Sequence, residues 1–171
     1  MMSILKSLTL LSILTASLPA IAQTKQVLDA GCRQGTCWES SLISKKLVHQ
    51  NQLGGEPSKL YKLEVENKRT GRSTQIERTS RWVYCSTSEP FVAFSPSPKE
   101  DLIYFHYLNP GGDVFGANSG SNRTYWAICH DAWNANVFRP EEGLARKVRQ
   151  LGYSLTLQSV QREIPKQLFQ P

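Results

Sequence analysis

The alternation of apolar and polar residues is clearest in the middle of the chain, where it predicts β-strands. In LYKLEVEN, 60–67, tyrosine, leucine and valine alternate with lysine and glutamate, so that one face of the strand would be buried. NKRTGRST, 67–74, supplies turn residues, and TQIERTSRWVYCS, 74–86, returns as a partner strand. FVAF, 91–94, and LIYFHYL, 102–108, are shorter strands, and the second is apolar on both faces.

Weaker patterns lie on both sides of this region. The segment 38–53 fits neither the strand period nor the helix period, and we interpret it as an irregular strand. TYWAICH, 124–130, and YSLTLQSV, 153–160, are short apolar runs typical of strands. NPGGDVFGANSGSNR, 109–123, is rich in glycine and predicts a long exposed loop, the kind of segment that often carries function.

One segment near the C-terminus has the signals of a helix. Pro140 suits a first helical position, acidic residues follow it, and basic residues precede Gly152, where the helix would end. Strands that follow one another through turns, with one helix near the end, predict a mainly β protein of the α+β kind. We expect an antiparallel β barrel or sandwich with one C-terminal helix.

The N-terminus predicts export. Lys6 precedes the apolar run LTLLSILTASL, and small residues follow at Ala20 and Ala22, as in a signal peptide cleaved near Ala22/Gln23. The run is about half of the roughly 20 residues that a membrane-spanning helix needs, so we expect a secreted or periplasmic protein without a transmembrane segment. The chain would divide into a signal peptide (1–22), a flexible tether (23–31) and a single disulfide-stabilised β-rich domain (32–171).

The cysteines predict a covalent framework. Four cysteines in an oxidising compartment indicate two disulfides, although four cysteines allow three pairings and the sequence does not choose among them. We favour Cys32 with Cys37 and Cys85 with Cys129. Because loop-closure entropy grows with ring size, the longer ring would stabilise the fold by about 4 kcal/mol and the shorter ring by about 2 kcal/mol.

The charge of the chain is mildly positive. There are 20 basic and 14 acidic residues, and with Lys6 removed 19 basic residues remain, for a net charge of +5 that is dispersed along the chain. We therefore expect no nucleic-acid partner. The predicted hairpin tip is basic, and Arg69 and Arg72 there are candidate contacts for an anionic ligand, although basic tips also protect sheet edges. Lys68, Arg78 and Arg81 lie nearby.

The cysteines give little reason to expect catalysis or a metal site. If TYWAICH is a strand, Cys129 and His130 point to opposite faces and cannot act as a nucleophile and its base. Structural zinc sites hold their ligands in close pairs, and only Cys32 and Cys37 are close in sequence. We expect no metal and no cofactor.

A hydrolase that uses paired acids is the alternative enzyme. Asp101, Asp113 and Asp131 lie at strand ends or in the long loop, where an acid and a nucleophile could be placed. Aspartate is also a common turn residue, so a non-catalytic role is the preferred interpretation. The histidines that could join such a site are His49, His106 and His130.

Two resemblances add to this interpretation. The export signal with WVYCS, SEPFVAF, LNPGGD and YWAICH resembles a family of small exported proteins found in cyanobacteria, which implies no particular activity. SGSNRTY, 119–125, is similar to the loop motif of inhibitors of c-type lysozyme, small exported antiparallel barrels that insert this loop into the enzyme's cleft. The resemblance implies an inhibitory role for Ser119, Ser121 and Tyr125, but AICHD after Tyr125 departs from the inhibitor pattern.

The sequence therefore predicts an exported, non-catalytic binding or interaction module, with a secreted protein or a cell-wall glycan among its possible partners. Ser119, Ser121, Tyr125, Arg69 and Arg72 are its candidate binding residues. A lysozyme inhibitor and a hydrolase are the alternatives.

Overall fold

The computed structural model describes residues 25–51, 56–95, 97, 99–112, 114, 116, 118–133, 137, 144–154 and 156–169. Seven antiparallel strands form one sheet in which the spatial order follows the chain order. The strands are β1 (Val27–Arg33), β2 (Thr36–Asn51), β3 (Ser58–Thr70), β4 (Thr74–Cys85), β5 (Phe91–Phe94), β6 (Leu102–Tyr107) and β7 (Val160–Pro165). The helices are α1 (Ser119–His130) and α2 (Leu144–Gln150), and a 3₁₀ turn spans Lys166–Leu168.

The first hairpin is closed by a tight turn and a disulfide. Gln34 and Gly35 both have positive φ, as a two-residue turn between twisted strands requires. The turn brings Cys32 directly opposite Cys37, and the two form a disulfide. Strand β1 therefore lies where the sequence predicted part of a flexible tether, because its backbone pairs with β2 and Leu28 is buried.

The long central hairpins follow the sequence pattern closely. Leu63 and Val65 of β3 are fully buried and Glu64 between them is partly exposed, so the predicted alternation is confirmed there, while Tyr61 is only partly buried. Strand β2 pairs with β3 along its length, with register shifts between Leu42 and Ser44 and between Leu47 and His49. These bulges explain why β2 shows no clean period in the sequence.

The two faces of the sheet carry different clusters. One face, which we call the helix face, packs Leu63, Val83, Val92 and Leu108 against α1. The opposite face buries Ala93, Ile103 and Phe105, with the C-terminal Phe169 packed against them. Strand β6 contributes Ile103 and Phe105 to the second cluster, and Leu108, the residue after the strand, belongs to the first.

Helix α1 replaces a predicted strand. The run Tyr125 to Ile128 is buried throughout, because the sheet covers one side of α1 and Val137, Val148 and Tyr153 lie in the same core cluster. A short apolar run that is covered on all sides does not distinguish a helix from a strand by its period. The predicted 109–123 loop accordingly ends where α1 begins at Ser119.

The C-terminal third confirms one prediction and corrects another. Helix α2 confirms the predicted helix over Leu144–Gln150, and Gly152 with φ 80° follows it, while the predicted start at Pro140 lies outside the described residues. The last strand is β7 and not 153–160, because β7 pairs with β6 through Ile103 and Ile164.

Most of the predicted fold class holds. The protein is mainly antiparallel β with helical segments and the two favoured disulfides, Cys32–Cys37 and Cys85–Cys129. The sheet is open, with β1 and β7 as its edges, and is neither a closed barrel nor a two-sheet sandwich. No helix within the described part of the chain is long and apolar enough to cross a bilayer.

Candidate functional site

A groove crosses the helix face beside the N-terminal end of α1. It consists of two cavities of about 270 Å³ and about 330 Å³, which share Trp38, Arg81 and Phe94 as walls. The cavity nearer to α1 also touches Ser119 and Ser121, and the other continues toward the β3–β4 hairpin. We call the two cavities together the Arg81 groove.

Arg81 lies at the centre of this groove. Strand β4 places it on the helix face, where Nη2 donates to Ser40 Oγ at 3.0 Å and to Asn67 Oδ1 at 2.9 Å. Nη1 donates to Thr124 Oγ1 of α1 at 3.3 Å. Nε and one hydrogen of Nη1 have no acceptor among the residues that the structure describes, although every guanidinium N–H is a donor. The three contacts therefore hold the guanidinium in place without using all of its donors.

The charge of Arg81 is incompletely compensated. No carboxylate of the described residues forms an ion pair with it. Burial lowers the pKa of Arg81, and the more distant Asp29 opposes this effect. Because arginine stays protonated in proteins, the groove holds a desolvated positive charge.

Asp29 organises one wall of the groove. Its Oδ2 accepts a hydrogen bond from Trp38 Nε1 at 3.1 Å, and its Oδ1 forms a short ion pair with Arg123 of α1. Gly120 lies against the same carboxylate, since a Cβ on Gly120 would be 3.0 Å from Oδ2. Asp29 thereby joins β1 and β2 to the first turn of α1.

Trp38 gives the groove an exposed aromatic surface. The side chain is 37% exposed, and its ring covers Gly31, the residue opposite it on β1. A Cβ on Gly31 would lie 2.4 Å from Cζ2 of the ring, so only glycine allows this position. Because Nε1 also donates to Asp29, two contacts restrict the orientation of the indole.

A second polar chain lies on the α1 side of the groove. Ser121 Oγ is 2.8 Å from His106 Nδ1, and His106 Nε2 is 3.0 Å from Gln161 Oε1. Gln161 faces His106 because the two are direct partners across β6 and β7. Gln161 Nε2 donates in turn to Glu163 Oε1 at 3.3 Å. Desolvation lowers the pKa of His106, and the contact with Gln161 partly opposes this.

The other end of α1 contains a sealed polar cluster. Tyr125 OH donates to the backbone carbonyl of Ser86 at 3.0 Å and lies 2.7 Å from Tyr153 OH, which also contacts His130 Nε2. Burial raises the pKa of Tyr125 strongly and that of Tyr153 to about 12. Burial, with the charge of Lys147, lowers the pKa of His130 to about 4. All members of the cluster are therefore neutral near pH 7.

The predicted binding residues are divided by the structure. Ser119 and Ser121 line the cavity beside α1, and Arg69 lines the cavity toward the hairpin. Arg72 lies exposed at the hairpin tip, outside the residues that line the groove. Tyr125 has no exposed surface. The side chain of Tyr125, which the inhibitor resemblance would present to an enzyme, is thus covered in this protein.

The predicted hydrolase residues do not converge among those that the structure describes. His49 is exposed on β2, Asp101 precedes β6, and His130 belongs to the sealed cluster. Asp131 accepts a hydrogen bond from Trp133 Nε1 at 2.6 Å, and Asp113 lies outside the described residues. Within the described part of the chain, no group of three or more histidine, cysteine or acidic residues could hold a metal ion.

A larger cavity, about 770 Å³, lies near the C-terminal end of α1. Its charged side chains Lys25, Lys45 and Asp131 are exposed, and Lys45 donates to the carbonyl of Ile128 at 3.3 Å. Exposed charges in a wide cleft are well solvated and contribute little binding energy. We therefore place the candidate site at the Arg81 groove, where the charge is desolvated.

Sequence reasoning missed two residues of the groove, Asp29 and Trp38, and also Gln161, which contacts His106. Asp29 fell in the predicted tether, Gln161 followed the predicted last strand, and Trp38 lay in the irregular segment. The only sequence signal for them was a tryptophan near a small, disulfide-closed hairpin. Their roles depend on β1 and β7, the two strands that the hydrophobic pattern does not reveal.

Fold and site together define a disulfide-linked antiparallel sheet protein with a charged groove at a helix terminus. The chain matches no protein-family model, and searches of curated proteins and of solved structures found no significant similarity.

Proposed function

We propose that this protein is an exported binding module that recognises a carboxylate-bearing glycan in the Arg81 groove. The observation that carries the proposal is the desolvated guanidinium of Arg81, which lies between two cavities with donors available. A buried guanidinium with unused N–H groups favours an anionic ligand, because a charge-assisted hydrogen bond from arginine to a carboxylate is stronger than one between neutral groups.

The charges around Arg81 support an anionic ligand. Lys68 and Arg69 line the hairpin side of the groove, and the negative charge of Asp29 is already paired with Arg123. Glu39 and Glu77 also line this side, and Glu39 is paired with Lys25. The positive charges nearest the open part of the groove thus outnumber the unpaired negative ones.

The aromatic wall supports a sugar. Trp38 presents an exposed ring beside the charged cavity, and its orientation is restricted by Gly31 and Asp29. Aromatic faces bind the apolar C–H surfaces of sugar rings, and a restricted ring loses little entropy on binding. The two cavities, about 270 Å³ and about 330 Å³, have room for a short oligosaccharide and not only for a single ion.

Export agrees with this ligand class. Two disulfides suit an oxidising compartment, and the N-terminal sequence has the organisation of a signal peptide. Acidic polysaccharides are abundant in cell walls and outside cells, so the ligand and the protein would meet there.

The proposal is tested by calorimetry with oligogalacturonides, a carboxylate-bearing glycan, on the disulfide-intact protein. We expect the native protein to bind the ligand and Arg81→Gln to bind it with a Kd about tenfold higher or more, because the variant loses a charge-assisted hydrogen bond. Arg72→Gln is the matched control, because Arg72 is an exposed arginine outside the groove and its loss should leave Kd unchanged. Neutral cello-oligosaccharides should bind much more weakly.

A readout without mutation protects the test against misfolding of Arg81→Gln. In the native protein, the NMR signal of the Arg81 Nε–H should shift on titration with oligogalacturonide and remain in place with the neutral oligosaccharide. No shift at saturating ligand, or equal binding by native protein and a folded Arg81→Gln variant, would reject the proposal.

A further inference from the structure

Ser121, His106 and Gln161 have the mutual geometry of a nucleophile, a general base and the group that orients the base. The serine oxygen lies 2.8 Å from one imidazole nitrogen, and the amide oxygen lies 3.0 Å from the other. Both distances are within the hydrogen-bonding range that such a chain requires. Ser121 and His106, although only 8% and 7% exposed, both line the cavity beside α1.

We infer that Ser121 is a nucleophile activated by His106, and that the Arg81 groove hydrolyses O-acyl esters carried on acidic sugars. The choice of substrate rests on the proposed function, because Arg81 would hold the anionic sugar. The chemistry of Ser121 does not rest on it, because it follows from the contacts of His106 alone.

The hydrogen-bond chain sets the tautomer of His106. Gln161 is oriented by Glu163, since its Nε2 donates to that carboxylate and its Oε1 is left to face His106. An amide oxygen only accepts, so His106 Nε2 carries the proton and Nδ1 has a free lone pair. Nδ1 therefore accepts the hydrogen bond of Ser121, as a general base must.

An amide as the third member has a precedent in enzyme chemistry. Nucleophile–histidine–amide triads occur in cysteine proteases, where the amide fixes the imidazole without supplying a negative charge. Burial lowers the pKa of His106, which keeps the ring neutral and ready to accept a proton near pH 7.

The position of Ser121 in α1 supplies the remaining requirement, stabilisation of negative charge. The hydrogen bond from Asn122 N–H to Asn118 O, at 3.0 Å, is the first of the helical pattern at the start of α1. The backbone amides of residues 119–121 therefore belong to the first turn of the helix. Amides in the first turn of a helix have no intrahelical acceptor, and the helix dipole favours negative charge there. An oxyanion that forms on a substrate next to Ser121 would lie near these groups.

The step needs only water as a second reactant. Ser121 Oγ bonds to the carbonyl carbon while its proton moves to His106 Nδ1, and the carbonyl electron pair becomes the oxyanion. When the carbonyl re-forms, the ester C–O bond breaks, and the sugar hydroxyl leaves with the proton from His106. Water then attacks the acyl-Ser121 ester and gives its proton to His106. The acid departs, and Ser121 regains its proton.

A fluorophosphonate probe tests the nucleophile directly in the disulfide-intact protein. We expect one probe per molecule by intact mass, located on Ser121 by tandem mass spectrometry of the native protein. Absence of labelling at millimolar probe, or labelling at another residue, would overturn the inference without need of any variant.

Variants then test the roles. His106→Gln should slow labelling by about 100-fold or more, the usual contribution of a general base. Exposed residues of the same types provide the controls, and Ser73→Ala and His49→Gln should label at the native rate. If His106→Gln labels at the native rate while folded, His106 is not the base and the inference fails.

Gln161 is a positioning residue, so its test uses the pH profile of labelling. In Gln161→Glu a carboxylate faces the imidazole and stabilises its charged form. The pH at which labelling is half-maximal should therefore move upward, an effect that a purely structural contact would not produce. An unchanged profile would remove Gln161 from the chain.

Hydrolysis of two aryl acetates, corrected for the uncatalysed rate, separates this inference from the proposed function. The anionic 4-acetoxybenzoate, which carries its carboxylate on the alcohol side as an acidic sugar would, should react faster than neutral 4-acetoxybenzamide, and Arg81→Gln should abolish the preference. Ser121 labelling without any anion preference would leave the chemistry standing and reject the role of Arg81. Glycan binding that depends on Arg81, without labelling of Ser121, would support the proposed function and reject Ser121 as a nucleophile.

Discussion

The two ends of helix α1 place similar groups in different surroundings. Each end has a histidine in contact with a hydroxyl group, His106 with Ser121 and His130 with Tyr153, and burial lowers the pKa of both histidines. At the first end the histidine lines a cavity that also contains Arg81. At the second end Tyr125 closes the cluster, and the Cys85–Cys129 disulfide ties α1 to β4.

The difference shows how burial of polar groups separates stability from function. Buried polar groups that satisfy one another inside the core fix a single packing and leave nothing for a ligand. A buried charge whose donors are only partly used, beside an open cavity, can gain further energy from an anion. The sealed end would therefore stabilise the fold, and the open end would carry the function.

The largest expected effect is on the sealed end. Replacing both Cys85 and Cys129 with alanine should lower the free energy of unfolding by about 4 kcal/mol, because these cysteines are 44 residues apart and their bridge closes a long loop. Replacing both Cys32 and Cys37, which are five residues apart, should lower it by about 2 kcal/mol. Urea unfolding of both double variants measures the two values. Equal losses would contradict the assignment of the longer bridge as the main anchor.

Tyr125→Phe tests the sealed cluster itself. The variant keeps the ring but removes the hydroxyl, which leaves the carbonyl of Ser86 without this donor, and should cost about 1–3 kcal/mol. Ser73→Ala, at the exposed hairpin tip, should stay within about 0.5 kcal/mol of the native protein. Chemical unfolding measures both free energies of unfolding. If Tyr125→Phe is as stable as the native protein, the hydroxyl of Tyr125 does not stabilise the fold and the prediction is wrong.

Acid should weaken the sealed end. Burial lowers the pKa of His130 from 6.5 to about 4 on folding. Between these two values the unfolded state binds more protons than the folded state, so the folded state loses stability as the pH falls from 6.5 toward 4. The charge of Lys147 acts on this ring, and the rings of Tyr125, Trp126 and Tyr153 pack against it. Because His130 is only partly buried, solvent reduces the size of the effect.

The measurement for this prediction is the urea midpoint as a function of pH. His130→Gln should have a shallower slope than the native protein between pH 6.5 and 4. His106, whose pKa is also lowered and which faces Ser121, Gln161, the Phe94 ring and the cavity with Arg81 and Asp29, adds a slope of the same sign. An unchanged slope in His130→Gln would contradict the sealed cluster as a source of acid sensitivity.

The smallest expected effect concerns the open end. Gly31→Ala forces the Trp38 ring away from β1 and should weaken oligogalacturonide binding by about fivefold, or roughly 1 kcal/mol, with little change in stability. Gly71→Ala is the matched control, because a Cβ there meets its nearest neighbour at 3.4 Å. Equal Kd values for both variants would show that the ring does not contact the glycan.

The sequence by itself determined the strands with a clear period, the two disulfides and part of the candidate site. Leu63 and Val65 alternate with solvated residues in β3, so local pattern and burial agree. Arg69, Ser119 and Ser121 were recognisable as candidates because charged and small polar residues cluster in turn-like segments. The favoured pairing of cysteines was also correct.

Only the tertiary structure decided the rest. The sequence does not reveal that Tyr125 to Ile128 form a helix, because other elements cover these residues on all sides and so remove the amphipathic pattern. Arg81 is buried in the groove, and is not a solvated charge of the hairpin, because α1 lies over the helix face and brings Thr124 to it. Gln161 lies 55 residues after His106 and reaches it through the pairing of β6 with β7, while α1 brings Ser121 to the other nitrogen of the ring. No local pattern in the sequence encodes these contacts.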